Sequence, residues 1–236
     1  MVCGRVKVKG RRLVITVDGP AGAGKSTVSR ALAERLGYVY VDTGAMYRAV
    51  AVLVQRAGKS DDFDEEMLEQ ICRRLELHLS SENGQVRVIA NGEDLTEEIR
   101  EPHISELASA VSRKAVVRKR LSEIQRTLGQ HGGVVLEGRD MGTVVFPDAD
   151  IKFFLDASSD VRALRRYLEL TRKGKKVSRQ QVYDQLVERD RNDIARELAP
   201  LKPAADAILV DSTNLQVDEV VDFMLDRIRT LSHHHD

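Results

Sequence analysis

Apolar positions recur along the chain in two alternating rhythms. Residues 13–17, LVITV, form a short β-branched run that predicts a buried strand. Val28, Leu32 and Leu36 then follow four apart, the spacing of one helix face, and Gly37 stands where a helix C-cap belongs. YVYV at 38–41 predicts a second strand, and helices are expected at 46–57, ahead of Gly58, and at 64–74. The rhythm then changes. ELHLSS, ENGQ and VRVIANGEDL predict an antiparallel hairpin turning at Asn83-Gly84. Helical spacing returns over 103–128. VVLEG at 134–138 and IKFFLDA at 151–157 read as buried strands, with a basic helix at 158–172 and the loop KGKK after them. A charged helix at 179–198, a strand in AILVDS at 207–212 and a helix at 216–231 complete the pattern. Strands alternating with helices predict an α/β fold: a parallel sheet with helices on both faces. The hairpin breaks that alternation. It marks 61–128 as an inserted α+β subdomain within a core formed by 11–60 and 129–231, with 1–10 and 232–236 as flexible termini.

Composition narrows the function classes. A chain of 236 residues can bury a sizeable core, and 42% apolar with 31% charged residues is ordinary for a soluble protein. The 37 basic residues balance 37 acidic ones, so no global charge draws the chain to nucleic acid or to an anionic membrane. Anion binding must come from local clusters. No apolar run is long enough to span a bilayer, and MVCGRVKVKGRR lacks a signal-peptide core, so a cytoplasmic location is expected. Cys3 and Cys72 have neither metal spacing nor a disulfide framework and read as free thiols. The three histidines near the end, in LSHHHD, fit a purification tag at least as well as a metal site.

Local chemistry begins directly after the first strand. Gly19-Pro20-Ala21-Gly22-Ala23-Gly24-Lys25-Ser26 matches the phosphate-loop pattern GxxxxGK[ST], with a strand before it and a helix after it. Glycines let the backbone close around phosphate oxygens, and the N–H groups at a helix start favour anions. Lys25 supplies a mobile cation for the β- and γ-phosphates, and the Ser26 hydroxyl can ligate Mg²⁺. The loop predicts a nucleoside triphosphate site without choosing between a kinase, a GTPase and a motor.

Three further clusters bear on that choice. Asp42-Thr43-Gly44-Ala45-Met46-Tyr47-Arg48 begins where the second strand ends, the usual position for ligand groups in open α/β sheets. Arg48 can offer a planar fork to phosphate, although a capped helix start with a solvated arginine would look the same. Glu137-Gly138-Arg139-Asp140-Met141-Gly142-Thr143 again follows an apolar strand, and its Arg-Asp pair also fits a plain ion pair. In Arg189-Asp190-Arg191-Asn192-Asp193-Ile194-Ala195-Arg196, residues 189, 193 and 196 fall on one face of a helix, which equally describes a solvated, salt-bridged helix. Arg162, Arg165, Arg166, Arg172 and Lys173 crowd one segment, either as a functional basic face or as a solvated or nucleic-acid-binding one.

Taken together, GPAGAGKST, DTGAMYRAVA, EGRDMGTVVFPDAD, KFFLDAS and the RDRND–R–LAPL run resemble the bacterial cytidylate kinase family, from about residue 13 to about 231. The resemblance implies a P-loop kinase core, a helical lid at about 158–178 and a monophosphate-binding insert at 61–128. It implies ATP and CMP or dCMP as substrates, Mg²⁺ as cofactor, no nucleic-acid or membrane partner, and a monomer. Residues 19–27, ending with Thr27, would hold the ATP phosphates. Thr43, Arg48, Ser109, Arg118, Arg139, Asp140, Arg189, Asp193 and Arg196 would hold CMP, with Arg48 and Arg139 on its phosphate and Asp140 on cytosine. Arg162 and Arg166 would join Lys25 in catalysis from the lid. Thr43 stands where the family commonly has serine, and the loop ends Lys-Ser-Thr in place of Lys-Gly-Thr; both keep the needed groups. The alternatives are a UMP/CMP kinase, another small-molecule P-loop kinase, or a nucleotide-dependent switch.

Overall fold

A computed structural model describes residues 12–58, 63–82 and 85–232. The expected Asn83-Gly84 turn, Cys3, the segment 1–10 and the terminal histidines lie outside the described residues.

The first compact unit comprises residues 1–40 and 132–236. Its sheet has five strands: β1 (Val14–Asp18), β2 (Val39–Asp42), β6 (Val134–Gly138), β7 (Ile151–Asp156) and β8 (Ile208–Asp211), in the order β2-β6-β1-β7-β8. β1 pairs in parallel with β6 and β7, and β7 with β8. Every residue of β6 is buried, as are four of the five in β1. Burial of successive side chains, which point to opposite faces, means the sheet is covered on both. α1 (Lys25–Leu36) buries Val28, Leu32 and Leu36 and packs on α8 (Val217–Ser232) and β6. It ends at Gly37 in a left-handed C-cap, and Arg35 pairs with Asp222 at 2.9 Å. α6 (Ser159–Arg172) and α7 (Arg179–Ile194) pack on each other. Ser178 and Gln181 form a reciprocal capping box at the start of α7.

The second unit, residues 41–131, has its own core. α2 (Thr43–Arg56) is buried nearly all round through Met46, Val50, Val52 and Val54, so it serves as a central helix. α3 (Glu65–Arg74), α4 (Pro102–Val111) and α5 (Ala115–Gly129) pack with it, beside a three-stranded sheet of β3 (Leu77–Glu82), β4 (Gln85–Ala90) and β5 (Glu93–Asp94). β3 and β4 form the antiparallel pair that the alternating pattern predicts, running from Leu77↔Ala90 to Glu82↔Gln85. This unit begins at residue 41, whereas the sequence reading placed the insert from 61.

Two expectations about helices are corrected. The stretch 103–128 is two helices, with Ser112, Arg113 and Lys114 turning the chain between α4 and α5. The helix expected over 179–198 stops at Ile194, so Arg196 lies beyond it and does not share a helix face with Arg189 and Asp193. Pro200 disfavours helical backbone at residue 199, where φ is +51°. The N–H of Leu201 instead folds back onto the carbonyl of Asp193 at 2.8 Å.

Candidate active site

In the first unit the chemistry gathers where β1 and β6 end. Their register pairs Asp18 with Gly138, so Gly19 and Arg139 leave the sheet side by side. Gly19 has φ +148° and lies so close to β7 that a Cβ would come within 2.0 Å of the Leu155 carbonyl oxygen. Only glycine permits that approach, and it starts the wrap of the loop 19–24 into α1.

Lys25 opens α1 and is almost wholly buried, its Nζ donating to the Pro20 carbonyl at 2.7 Å. Burial pushes the ammonium down to about 7; Arg139 and Arg189 push the same way, against Glu137 and Asp18. Ser26 and Thr27 are exposed at the head of the helix. Among the described residues no group of three or more His, Cys, Asp or Glu side chains could hold a metal ion. A lone Ser26 hydroxyl fits a magnesium ion that takes its remaining oxygens from phosphates and water, as that ion usually does in phosphoryl-transfer sites.

Arg139 donates from Nε to Asp193 at 3.0 Å and from Nη1 to the Gly138 carbonyl at 3.2 Å. Burial alone would raise the Asp193 carboxyl. Arg139, Arg196 and Arg189 outweigh it and hold the group below the usual carboxylate range. Arg196, beyond the end of α7, still reaches Asp193, with Nε on its carbonyl at 3.3 Å and Nη2 3.8 Å from its carboxylate. Asp140 is buried beside Arg139, immediately before a single π-helical turn at Met141–Val145. Arg139, Asp193, Arg196 and Arg189 therefore form one charged cluster, with Lys25 in its field.

Sequence reasoning missed Asp18. Its buried carboxylate accepts from the N–H of Met141 at 2.9 Å and of Gly142 at 2.7 Å. It thus ties the root of the phosphate loop to the segment carrying Arg139 and Asp140. Burial raises it to about 6, against the two N–H bonds and with Asp140 adding to the rise. The signal available was an acidic residue in the last position of a strand otherwise made of Val, Ile and Thr.

The lid arginines are placed differently from one another. Arg166 is partly exposed and pairs with Glu169 at 2.8 Å. Arg162, expected to join Lys25 in catalysis from the lid, is buried and held by the Ala157 and Ala21 carbonyls, the Asp190 carboxylate and the Ser159 hydroxyl. Arg165, which was not singled out for catalysis, donates to the hydroxyl and carbonyl of Ser212 at 3.1 and 2.7 Å and has its Nη1 near Gly24.

The second unit holds the other candidates. Asp42 caps α2 through the Ala45 N–H at 2.9 Å, and its second oxygen accepts from Arg48 at 2.9 Å. The cap therefore orients the candidate arginine. Thr43 is buried at the first helical position. Arg118 is buried with its guanidinium 5.8 Å from the Tyr47 ring centre, and its Nη1 donates to the Ser112 carbonyl at 3.2 Å. The Ser112 hydroxyl in turn donates to the Ser109 carbonyl at 2.8 Å, which joins Ser109 and Arg118 in one network. No helix among the described residues is long and apolar enough to cross a membrane.

The sequence as a whole is similar to proteins already known. The sequence pattern of the family described as cytidylate kinase matches residues 15–230. A cytidylate kinase of Geobacter sulfurreducens is 52% identical over 93% of this chain and 94% of its own length. One from Geobacter sp. strain M21 is 49% identical over 92% and 93%, and one from Caldicellulosiruptor saccharolyticus 46% identical over 92% and 95%. A strand–loop–helix built for phosphate, a neighbouring arginine cluster, and this likeness over nine-tenths of the sequence lead to one conclusion: the chain belongs to the cytidylate kinase family.

Proposed function

We propose that the protein transfers the γ-phosphoryl group of ATP to the phosphate of CMP or dCMP, giving ADP and CDP or dCDP. One observation carries the assignment of residues. β1 and β6 end side by side, which sets the loop carrying Lys25 next to Arg139 and the Asp193–Arg196 pair that Arg139 joins. Cations gathered this way are stabilised by polyanions, and a reaction between two nucleotide phosphates brings two of them.

Residues 19–27 cradle the donor phosphates with backbone N–H groups, and Lys25 leaves the Pro20 carbonyl for the β- and γ-phosphates. Arg139 and Arg48 are each a ligand of the acceptor phosphate in this reading, and each pairs with a carboxylate of its own unit, Asp193 and Asp42 respectively. Asp140 reads the cytosine in this reading, and Ser109 and Arg118 are base-side contacts. Arg189, Asp193 and Arg196 take the sugar side. Arg166 swings from Glu169 to the transferring group as the lid closes, which also excludes competing water. Ser26 would be the protein ligand for magnesium, which would supply charge neutralisation on the phosphates. The acceptor phosphate is already anionic near neutral pH, so no general base or covalent intermediate is needed. Catalysis comes from in-line positioning and electrostatic stabilisation. The insert acts as the monophosphate-binding module, and the protein works as a monomer.

The test is acceptor-dependent ADP release from ATP with CMP, dCMP, UMP, AMP and shikimate. The highest kcat/KM is expected with CMP or dCMP. Preference for UMP, AMP or shikimate would redirect the reading to another kinase, and ADP release independent of every acceptor would point to a nucleotide-dependent switch.

A further inference from the structure

Arg162 and Asp190 take no part in the mechanism above, yet both are buried beside the phosphate loop. Arg162, on α6, donates from Nε to the Ala157 carbonyl at 2.8 Å, from Nη2 to the Ser159 hydroxyl at 3.0 Å, and from Nη1 to the Ala21 carbonyl at 3.0 Å. The same Nη1 pairs with the carboxylate of Asp190 on α7. The other oxygen of Asp190 accepts from the Ala21 N–H at 3.4 Å. One ion pair therefore holds both backbone groups of a single loop residue. The next residue, Gly22, is tightly enclosed: at φ +75°, a Cβ there would stand 3.1 Å from the Arg162 carbonyl oxygen and 3.2 Å from Leu186 on α7. The loop tip is wedged between the two helices that the ion pair joins.

The bonds differ in strength. Arg162 donates to four acceptors, the kind of hydrogen-bond satisfaction a buried ion pair needs. The bond from Ala21 to Asp190 is long and weak, and a phosphate oxygen in the loop is a stronger rival for that N–H. We propose that the Arg162–Asp190 pair is a positioning device that links occupancy of the triphosphate loop to the α6–α7 arm, with the Ala21 N–H passing from Asp190 to a donor phosphate on binding. Arg162 thereby acts through the loop and the arm, without touching substrate. The proposal rests on the reading of residues 19–27 as the triphosphate site.

The experiment compares wild type, Asp190→Asn and the double variant Arg162→Met/Asp190→Leu. It measures Tm, kcat, KM for ATP and for CMP, and the Kd of an ATP analogue with a non-hydrolysable β,γ bridge. The double variant removes both buried charges together, so it is expected to stay folded with a Tm near that of wild type. Its kcat should nevertheless fall about 10-fold or more, with analogue Kd and KM for ATP changed by about 10-fold and KM for CMP by less than about 3-fold. Asp190→Asn, nearly isosteric, should show the same ATP-selective change at smaller size, and it decides the matter if the double variant fails to fold. Wild-type kinetics in a folded variant, or equal changes for ATP and CMP, would overturn the proposal. If wild type binds the analogue but phosphorylates no monophosphate, the kinase reading fails separately, and the analogue Kd still reads the coupling.

Discussion

The segments after β1 and β6 leave neighbouring parallel strands at the same level, yet they are built in opposite ways. The first is made of glycines and backbone N–H groups, with Lys25 as its one charged side chain. The second presents side chains: Arg139 aimed by Asp193, and Asp140 buried at the entry to a π-helical turn. A cradle of backbone groups recognises what all triphosphates share. An arm of side chains can distinguish acceptors, because each donor and acceptor on it is specific to a residue. Asp18 belongs to both, as the last residue of β1 and the acceptor for two N–H groups of the second segment.

The largest effect should come from the cradle's one cation. Lys25→Met is expected to lower kcat by about 1,000-fold or more, since phosphate-directed cations supply effects of that order in phosphoryl transfer. Helix content should be unchanged. Near-normal turnover would remove residues 19–27 from the donor site, and loss of fold would make Lys25 structural.

Arg139→Ala and Arg48→Ala come next. Each removes a charge-assisted contact worth about 1.5–3 kcal/mol, or more when desolvated, so kcat/KM for CMP should fall by about one to several decades. The KM for ATP should barely move. An equal loss toward both substrates would erase the distinction between cradle and arm.

Asp18→Asn tests the link between the two segments through its pH signature. The folded carboxyl, raised to about 6 from 3.8, binds more protons than the unfolded one between those values. Its stabilising contribution is therefore full below 3.8 and lost as pH rises through about 6. Tm measured from pH 4 to 7 should carry this downward component in wild type and lack it in the variant. Identical pH slopes would mean that burial does not govern Asp18.

Much of this architecture is legible in the sequence. Strand β6 falls at residues 134–138 as its apolar run predicts, and the switch from period 3.6 to period 2 marks the antiparallel pair at 77–90. What escaped depends on tertiary contacts. Helical spacing continues across 112–114, so the break between α4 and α5 has no counterpart in periodicity. The burial of Arg162 cannot be inferred from a basic helix, because its partners come from Asp190, 28 residues away, and Ala21, 141 residues away. At Asp42 the capped helix start was legible, but not that the capping carboxylate also holds Arg48, since that pairing depends on side-chain placement.

The division between a general cradle and a discriminating arm is tested most directly at Asp140. An ionised carboxylate can accept from the exocyclic amino group of cytosine, whereas uracil would present it with a second acceptor. Measuring kcat/KM for CMP and for UMP in wild type and in Asp140→Ala separates base reading from support of Arg139. The account predicts that the CMP-to-UMP ratio falls by about 10-fold or more in the variant, as expected for a contact of about 1–3 kcal/mol. A ratio that stays at the wild-type value while both rates drop together would contradict it and leave Asp140 as a support for the arginine beside it.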